Sequence, residues 1–145
     1  MELIYPGIGG QPIIAVAVKC GLTNKGYYVN MLLDTGAEQT CFPAAFAKEF
    51  GHDNAHPAVE IHKNSVQGIG GFSDSYIHSL QISLLDPNKT RERKPVIAWT
   101  SPLTRAPFVE KLDCVHGLIG MDVMRCWKSV GFEPNKHGVK IRIVI

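Results

Sequence analysis

No apolar run in this 145-residue chain reaches the roughly 18 residues that a membrane-crossing helix needs. The amino-terminal stretch Met-Glu-Leu-Ile-Tyr-Pro has neither the basic nor the apolar region of a signal peptide. The expected location is therefore cytoplasmic, with no membrane partner. Charge of one sign is also scarce: a formal net charge of +2 is too weak a field to hold a polyanion, and no nucleic-acid partner is expected. The cysteines, Cys20, Cys41, Cys114 and Cys126, form no C-x-x-C pair and are spread through apolar segments. They are expected to be buried thiols rather than a disulfide framework or a zinc site. His52 and His56 flank Asp53 at a spacing that would suit zinc on a helix, but Gly51, Asn54 and Pro57 make the segment a turn. No metal and no cofactor is expected.

What the chain does have is apolar content, 45% of its residues. That is enough for a single domain over residues 1–145 to bury about two-thirds of its unfolded surface. The organising stretch is Met31-Leu32-Leu33-Asp34-Thr35-Gly36-Ala37. An apolar run of strand length delivers one carboxylate straight into a turn, at the mouth of a sheet. An ionised carboxylate in such a place is tolerated only beside hydrogen-bond donors or a partner that shares its proton. Gly36 lets backbone N–H groups approach the acid, and Thr35 adds a hydroxyl. Asp34 is the candidate catalytic residue.

Three segments in order carry a family resemblance. Leu33-Asp34-Thr35-Gly36-Ala37 resembles the active-site loop of retropepsin-like aspartic proteases, Val66-Gln67-Gly68-Ile69-Gly70-Gly71-Phe72 resembles their glycine-rich flap, and Gly117-Leu118-Ile119-Gly120-Met121-Asp122 resembles their apolar-apolar-Gly segment. The resemblance implies an all-β, retropepsin-like acid protease fold: a closed β-barrel or sandwich with a flap hairpin and one or two short helices, one lobe per chain. It implies that Asp34, Thr35 and Gly36 are the catalytic triplet, and that Ala37, Gly68, Ile69, Gly70, Gly71, Leu118 and Ile119 bind substrate. A helix over residues 43–51, with Pro near its start and Gly at its end, is expected after the acid loop. That departs from the compact viral enzymes and is similar to cellular and bacterial retropepsin-like domains, including the DNA-damage-inducible family.

The remaining segments fit this reading. Residues 12–20 and 27–33 are expected to be an antiparallel hairpin that ends by presenting Asp34, with the chain turning over 22–26. Short strands are expected at 40–42, 96–99 and 117–120, and strands at 58–62 and 76–85 are expected to bracket the glycine cluster as a long hairpin. Residues 86–95 read as a charged loop, with Asn88-Lys89-Thr90 a coincidental sequon. Asp122 is expected to cap or begin a helix reaching Trp127, and 139–145 to form a final strand whose apolar residues must be covered. The resemblance suggests that this terminal strand joins a dimer sheet.

Peptide hydrolysis by carboxylates needs two of them sharing one proton. Only Asp34 is followed by Thr-Gly, because Asp53, Asp74, Asp86, Asp113 and Asp122 all lack the motif. A two-lobed monomer is thereby excluded, and the expected enzyme is a homodimeric aspartic endopeptidase with one Asp34 from each chain. It is expected to prefer acidic pH and to act on extended peptides with apolar residues beside the cut bond. The alternative is a catalytically silent peptide-binding or scaffold domain of the same fold. A thiol or zinc protein is the remaining contender.

Overall fold

A computed structural model describes residues 1–50, 54–68, 71–90, 94–110 and 116–145 of the chain. Strand β2 (Ile13–Cys20) shows why the sequence folds as a sheet. Ile14, Val16, Val18 and Cys20 are buried, while Ala15 and Lys19 between them are exposed, so a period of two sends one face inward. The chain turns and returns as β3 (Gly26–Leu33), antiparallel to β2 with Val16 opposite Val29. The expected hairpin is present, and it ends at Asp34.

Beyond the acid loop come β4 (Phe42–Pro43) and a 3-10 helix, Ala44–Phe50. The helix expected over residues 43–51 is present as a 3-10 helix. Its three residues per turn bury Ala47 and Phe50 and leave Phe46 partly buried. Strands β5 (Glu60–Gly68) and β6 (Gly71–Leu85) form the long hairpin, and β7 (Ile97–Thr100) lies on β6. Residues 104–109, which include Pro107 and were not expected as a strand, form β8 (Thr104–Val109), held between β6 and β4. Strand β9 (Gly117–Ile119) pairs in parallel with β3. The resulting curled sheet runs β4-β8-β6-β2-β3-β9, with β5 and β7 attached to β6.

Helix α1 (Met121–Met124) is one turn long and does not reach Trp127 as expected. After it, Cys126 N–H and Trp127 N–H donate to carbonyls three residues back, tightening the chain into turns. Two further strands follow, β10 (Ser129–Asn135) and β11 (Gly138–Val144), and both join β1 (Glu2–Pro6) in a sheet of order β1-β11-β10. The sequence reading missed β1 and β10. One is short and ends in Pro6, and the other carries Gly131 and Pro134, so only pairing with β11 makes them strands. The final strand is covered from both sides within its own chain.

The core is centred on aromatic rings. Phe42 stacks on Phe108 at 4.9 Å between centroids, and Phe50 meets both edge-on at 6.2 and 5.8 Å. The parallel β4-β8 pairing, with Phe42 opposite Phe108, makes this contact. Of the cysteines, Cys20 and Cys41 are buried thiols as expected, Cys126 is exposed instead, and Cys114 lies outside the described residues. His52 also lies outside them, while His56 Nδ1 accepts from the Ala58 N–H at 3.1 Å. Among the described residues no helix is long and apolar enough to cross a membrane.

Phe42→Ala is expected to cost about 3–5 kcal/mol of stability in urea unfolding, the usual range for a large side chain lost from a packed core. Tyr28→Ala, at a side chain 63% exposed, should stay within about 0.5 kcal/mol of the parent. Equal losses at the two positions would refute the placement of the core.

Candidate active site

Asp34 sits where β3 ends, and its main chain is fixed before its side chain is considered. Its N–H donates to the Ile119 carbonyl at 3.0 Å, continuing the β3-β9 ladder, and Leu33 N–H donates to the Pro12 carbonyl at 2.9 Å. The carboxylate then turns back on its own loop: Gly36 N–H donates to Asp34 Oδ1 at 2.9 Å. A Cβ built at Gly36 would lie 3.3 Å from that oxygen, so glycine gives the amide a close approach. Asp34 is half-buried, and Thr35 and Gly36 are exposed.

The far side of the loop is clamped. Ala37 N–H donates to the Asp34 carbonyl at 3.2 Å, and the Ala37 and Glu38 carbonyls accept from Met121 and Asp122 N–H, the first amides of α1, at 2.8 and 3.1 Å. Thr40, fully buried, donates from its N–H at 2.9 Å and its hydroxyl at 2.7 Å to Asp122 Oδ1, which also accepts from Val123 N–H at 2.8 Å. The same hydroxyl accepts from Gly120 N–H at 3.0 Å. A Cβ at Gly120 would stand 2.5 Å from the Gln39 carbonyl carbon, so the strand and the loop meet with no room for a side chain. Cys41 and Leu118 exchange backbone hydrogen bonds at 2.8 and 3.0 Å, closing the other flank.

Thr40 and Asp122 are the residues that the sequence reading missed. Asp122 was expected to cap or begin the helix; it begins it, lying in the first turn of α1, whose N-cap is Gly120 with no side-chain bond, and its side chain also bridges to Thr40. The only local signal was an acid after the apolar-apolar-Gly segment. Its partner lies 82 residues away in the chain.

The proposed substrate-contacting residues separate. Ala37 and Leu118 are partly exposed beside the acid loop. Ile119, expected to line the wall, is fully buried in the core. The alternation of β9 turns its side chain inward, so its contribution to the loop is the carbonyl that receives Asp34 N–H. Gly68 pairs with Gly71 across the β5-β6 hairpin, and the expected contacts of Ile69 and Gly70 lie outside the described residues.

The base of that hairpin carries charge. Glu60 on β5 bonds His62 Nε2 through Oε1 at 2.7 Å and pairs with Arg105 of β8 through Oε2. The bond from His62 first, and then Arg105, hold the exposed Glu60 carboxyl below its ordinary range. On the other strand, Tyr76 donates its hydroxyl to Glu110 and Glu110 N–H donates to the Asp74 carbonyl, fastening β6 to the end of β8. The bond to Glu110 pushes the Tyr76 phenol up.

The family model for retroviral aspartyl proteases matches residues 9–130, most of the chain. The protein belongs to that family. Among solved structures its fold is similar to a retropepsin-like aspartic protease from Rickettsia conorii, with 16% identity and a TM-score of 0.59 over 99% of this chain and 89% of that one. It is also similar to EIAV protease complexed with the inhibitor HBY-793, with 14% identity and a TM-score of 0.50 over 84% of this chain and 92% of that one. At these identities the likeness is one of fold. No curated protein matches the chain.

Asp122→Ala leaves the Thr40 and Val123 donors without their acceptor and is expected to cost about 1–3 kcal/mol in urea unfolding. Asp122→Asn, which keeps an acceptor oxygen, should lose less, and equal stability of all three proteins would show that the clamp is idle. A lowered carboxyl pKa stabilises above the ordinary value and stops doing so as pH falls through the lowered one. Amides at the base of the β5-β6 hairpin should therefore lose exchange protection as pH falls below the ordinary Glu value of 4.5, and Glu60→Gln should abolish that dependence. An unchanged pH profile in Glu60→Gln would rule Glu60 out as its origin.

Proposed function

We propose that this chain is an aspartic endopeptidase that cuts extended polypeptides, with a dyad formed by one Asp34 from each of two copies. The observation that carries this reading is the different use of the two carboxylates at the acid loop. Asp122 is occupied by Thr40 and Val123, whereas Asp34 stands at the open end of β3 with Gly36 on one oxygen. Asp122 is thus a structural acid, and the second reacting carboxylate has to come from another chain.

In the pair, one Asp34 is ionised and its mate carries the shared proton, because two anions at close range in a partly dry site repel strongly. The ionised carboxylate takes a proton from water as the water oxygen attacks the scissile carbonyl carbon, and the protonated carboxyl gives its proton to the carbonyl oxygen. Collapse of the resulting diol breaks the C–N bond: the protonated carboxyl gives its proton to the leaving nitrogen while one diol hydroxyl returns its proton to the ionised carboxylate as the carbonyl re-forms, so the pair again holds one proton. Gly36 N–H stabilises the ionised form throughout. The β5-β6 hairpin serves as the flap, offering backbone N–H and C=O groups to an extended substrate. Ala37 and Leu118 flank the cut bond, which favours apolar residues there.

The test is cleavage of an unfolded protein by the wild type and by Asp34→Asn at equal concentration, across about pH 4 to 7, with a transition-state inhibitor of aspartic proteases as control. Cleavage is expected from the wild type only, strongest on the acidic side and rising more steeply than enzyme concentration. Two inert proteins that sediment as dimers and bind peptide would instead establish the silent binding domain. Cleavage by Asp34→Asn would remove Asp34 from the mechanism.

A further inference from the structure

We infer that the outer face of the barrel carries a second substrate contact, a trough between Tyr28 and Ile97 that takes an extended protein segment with an acidic side chain beside apolar ones. The inference rests on the protease reading above, which supplies the unfolded polypeptide. Alternation fixes which side chains form the trough: Val16 and Val18 of β2 are buried in the core, so Ala17 and Lys19 point outward. Pairing then sets a row across four strands, with Tyr28 of β3 opposite Ala17, Ala17 opposite Ser83 of β6, and Ser83 opposite Thr100 of β7. The small side chains in the middle leave a cavity of about 240 Å³, lined also by Tyr28, Lys19 and Ile97.

The lining sets the chemistry of the occupant. Tyr28 is 63% exposed, Ile97 57% and Val96 39%, so apolar surface gathers on a face that the chain itself leaves open. The floor makes no polar demand, because the Ser83 and Thr100 hydroxyls bond each other at 2.8 Å and Ala17 offers a methyl. Lys19 is the one charged side chain of the lining, and among the described residues no carboxylate pairs with it. Residues 86–95, which lead up to Ile97, carry four basic and two acidic side chains and add charge of the same sign. An apolar segment with a carboxylate is therefore complementary to the trough. A nucleic acid is not, since it needs a run of cations.

Position makes that segment part of the substrate. Tyr28 lies on β3 and Asp34 at its exit, so the trough stands about 20 Å from the acid loop at about 3.4 Å per residue. An extended chain covers this distance in about six residues, and a few more carry it round to the outer face. A long polypeptide cut at Asp34 can thus lie in the trough at the same time. Held there, it is presented to the cleft at a raised effective concentration. The trough shares no residue with the acid loop or the β5-β6 hairpin, so its loss weakens the hold on long substrates and leaves the chemistry alone.

The test compares the full chain as wild type, Tyr28→Ala and Lys19→Glu. The probe is a fluorescent peptide of about ten residues that alternates Glu with Leu and Phe, added with the cleft filled by a transition-state inhibitor. The wild type is expected to bind it, less tightly as salt rises, and each variant to bind it roughly tenfold more weakly. Lys19→Glu should regain binding to a peptide with Lys in place of Glu. In cleavage of an unfolded acidic protein both variants should raise KM several-fold at unchanged kcat. A peptide of about eight residues centred on the cut bond, too short to reach the trough, should be cut equally by all three. Equal binding by the three proteins, no binding by the wild type, or an unmoved KM on the long substrate would each overturn the inference. Assemblies larger than a dimer that Tyr28→Ala dissolves would overturn it too, giving the trough to a second copy. Peptide binding that needs Tyr28 and Lys19, in a chain that never cleaves, would sustain the trough and reject the protease reading.

Discussion

The acid loop depends on one carboxylate that does no chemistry in the proposed mechanism. Asp122 Oδ1 gathers donors from Thr40 and Val123, and the Thr40 hydroxyl passes the connection on to Gly120. Oδ1 accepts three bonds and the Thr40 hydroxyl both donates and accepts, so this part-buried polar cluster is stabilising where a half-satisfied one would weaken the core. It locks the strand that bonds Asp34 from below to the loop that carries Asp34 from above. A catalytic carboxylate has to be held to within fractions of an ångström, and here a second carboxylate does the holding.

The same division of labour recurs at the hairpin. Its tip is bracketed by a Gly68-Gly71 pair, while its base is bound to β8 from both strands, through Glu60 with Arg105 and through Tyr76 with Glu110. Polar fastening sits at the root and glycine at the end. The Glu60 contact weakens only in acid, whereas Tyr76 with its raised phenol keeps its proton there.

How much of this could be read from the sequence follows from how local each signal is. The β2-β3 hairpin and the Asp34-Thr35-Gly36 turn are adjacent in the chain and were legible as a run of alternating residues ending in an acid. The long hairpin was legible because its strands flank the glycines that separate them. Strands β8 and β10 were not, since Pro107, Gly131 and Pro134 oppose strand formation locally and are overruled by neighbours distant in the chain. Asp122 was visible as an acid near a helix start, a pattern that usually means a cap. Its actual partner, Thr40, could be found only once β9 was placed beside β3. The wall expected of Ile119 failed for a related reason: in a three-residue strand, one step of alternation decides between cleft and core.

The parallel pairing of β3 with β9 also sets an order of events. Asp34 and Thr40 are made well before their fixing partners, Ile119, Gly120 and Asp122, which follow as many as 82 residues later, and a parallel neighbour cannot be reached by a tight turn. Contacts of such sequence separation form late, because the intervening loop must first be closed against its entropy. A ribosome-bound chain holding Asp34 but not β9 has the acid without the clamp. The acid loop is thus left unclamped until the residues of β9 and α1 have been made.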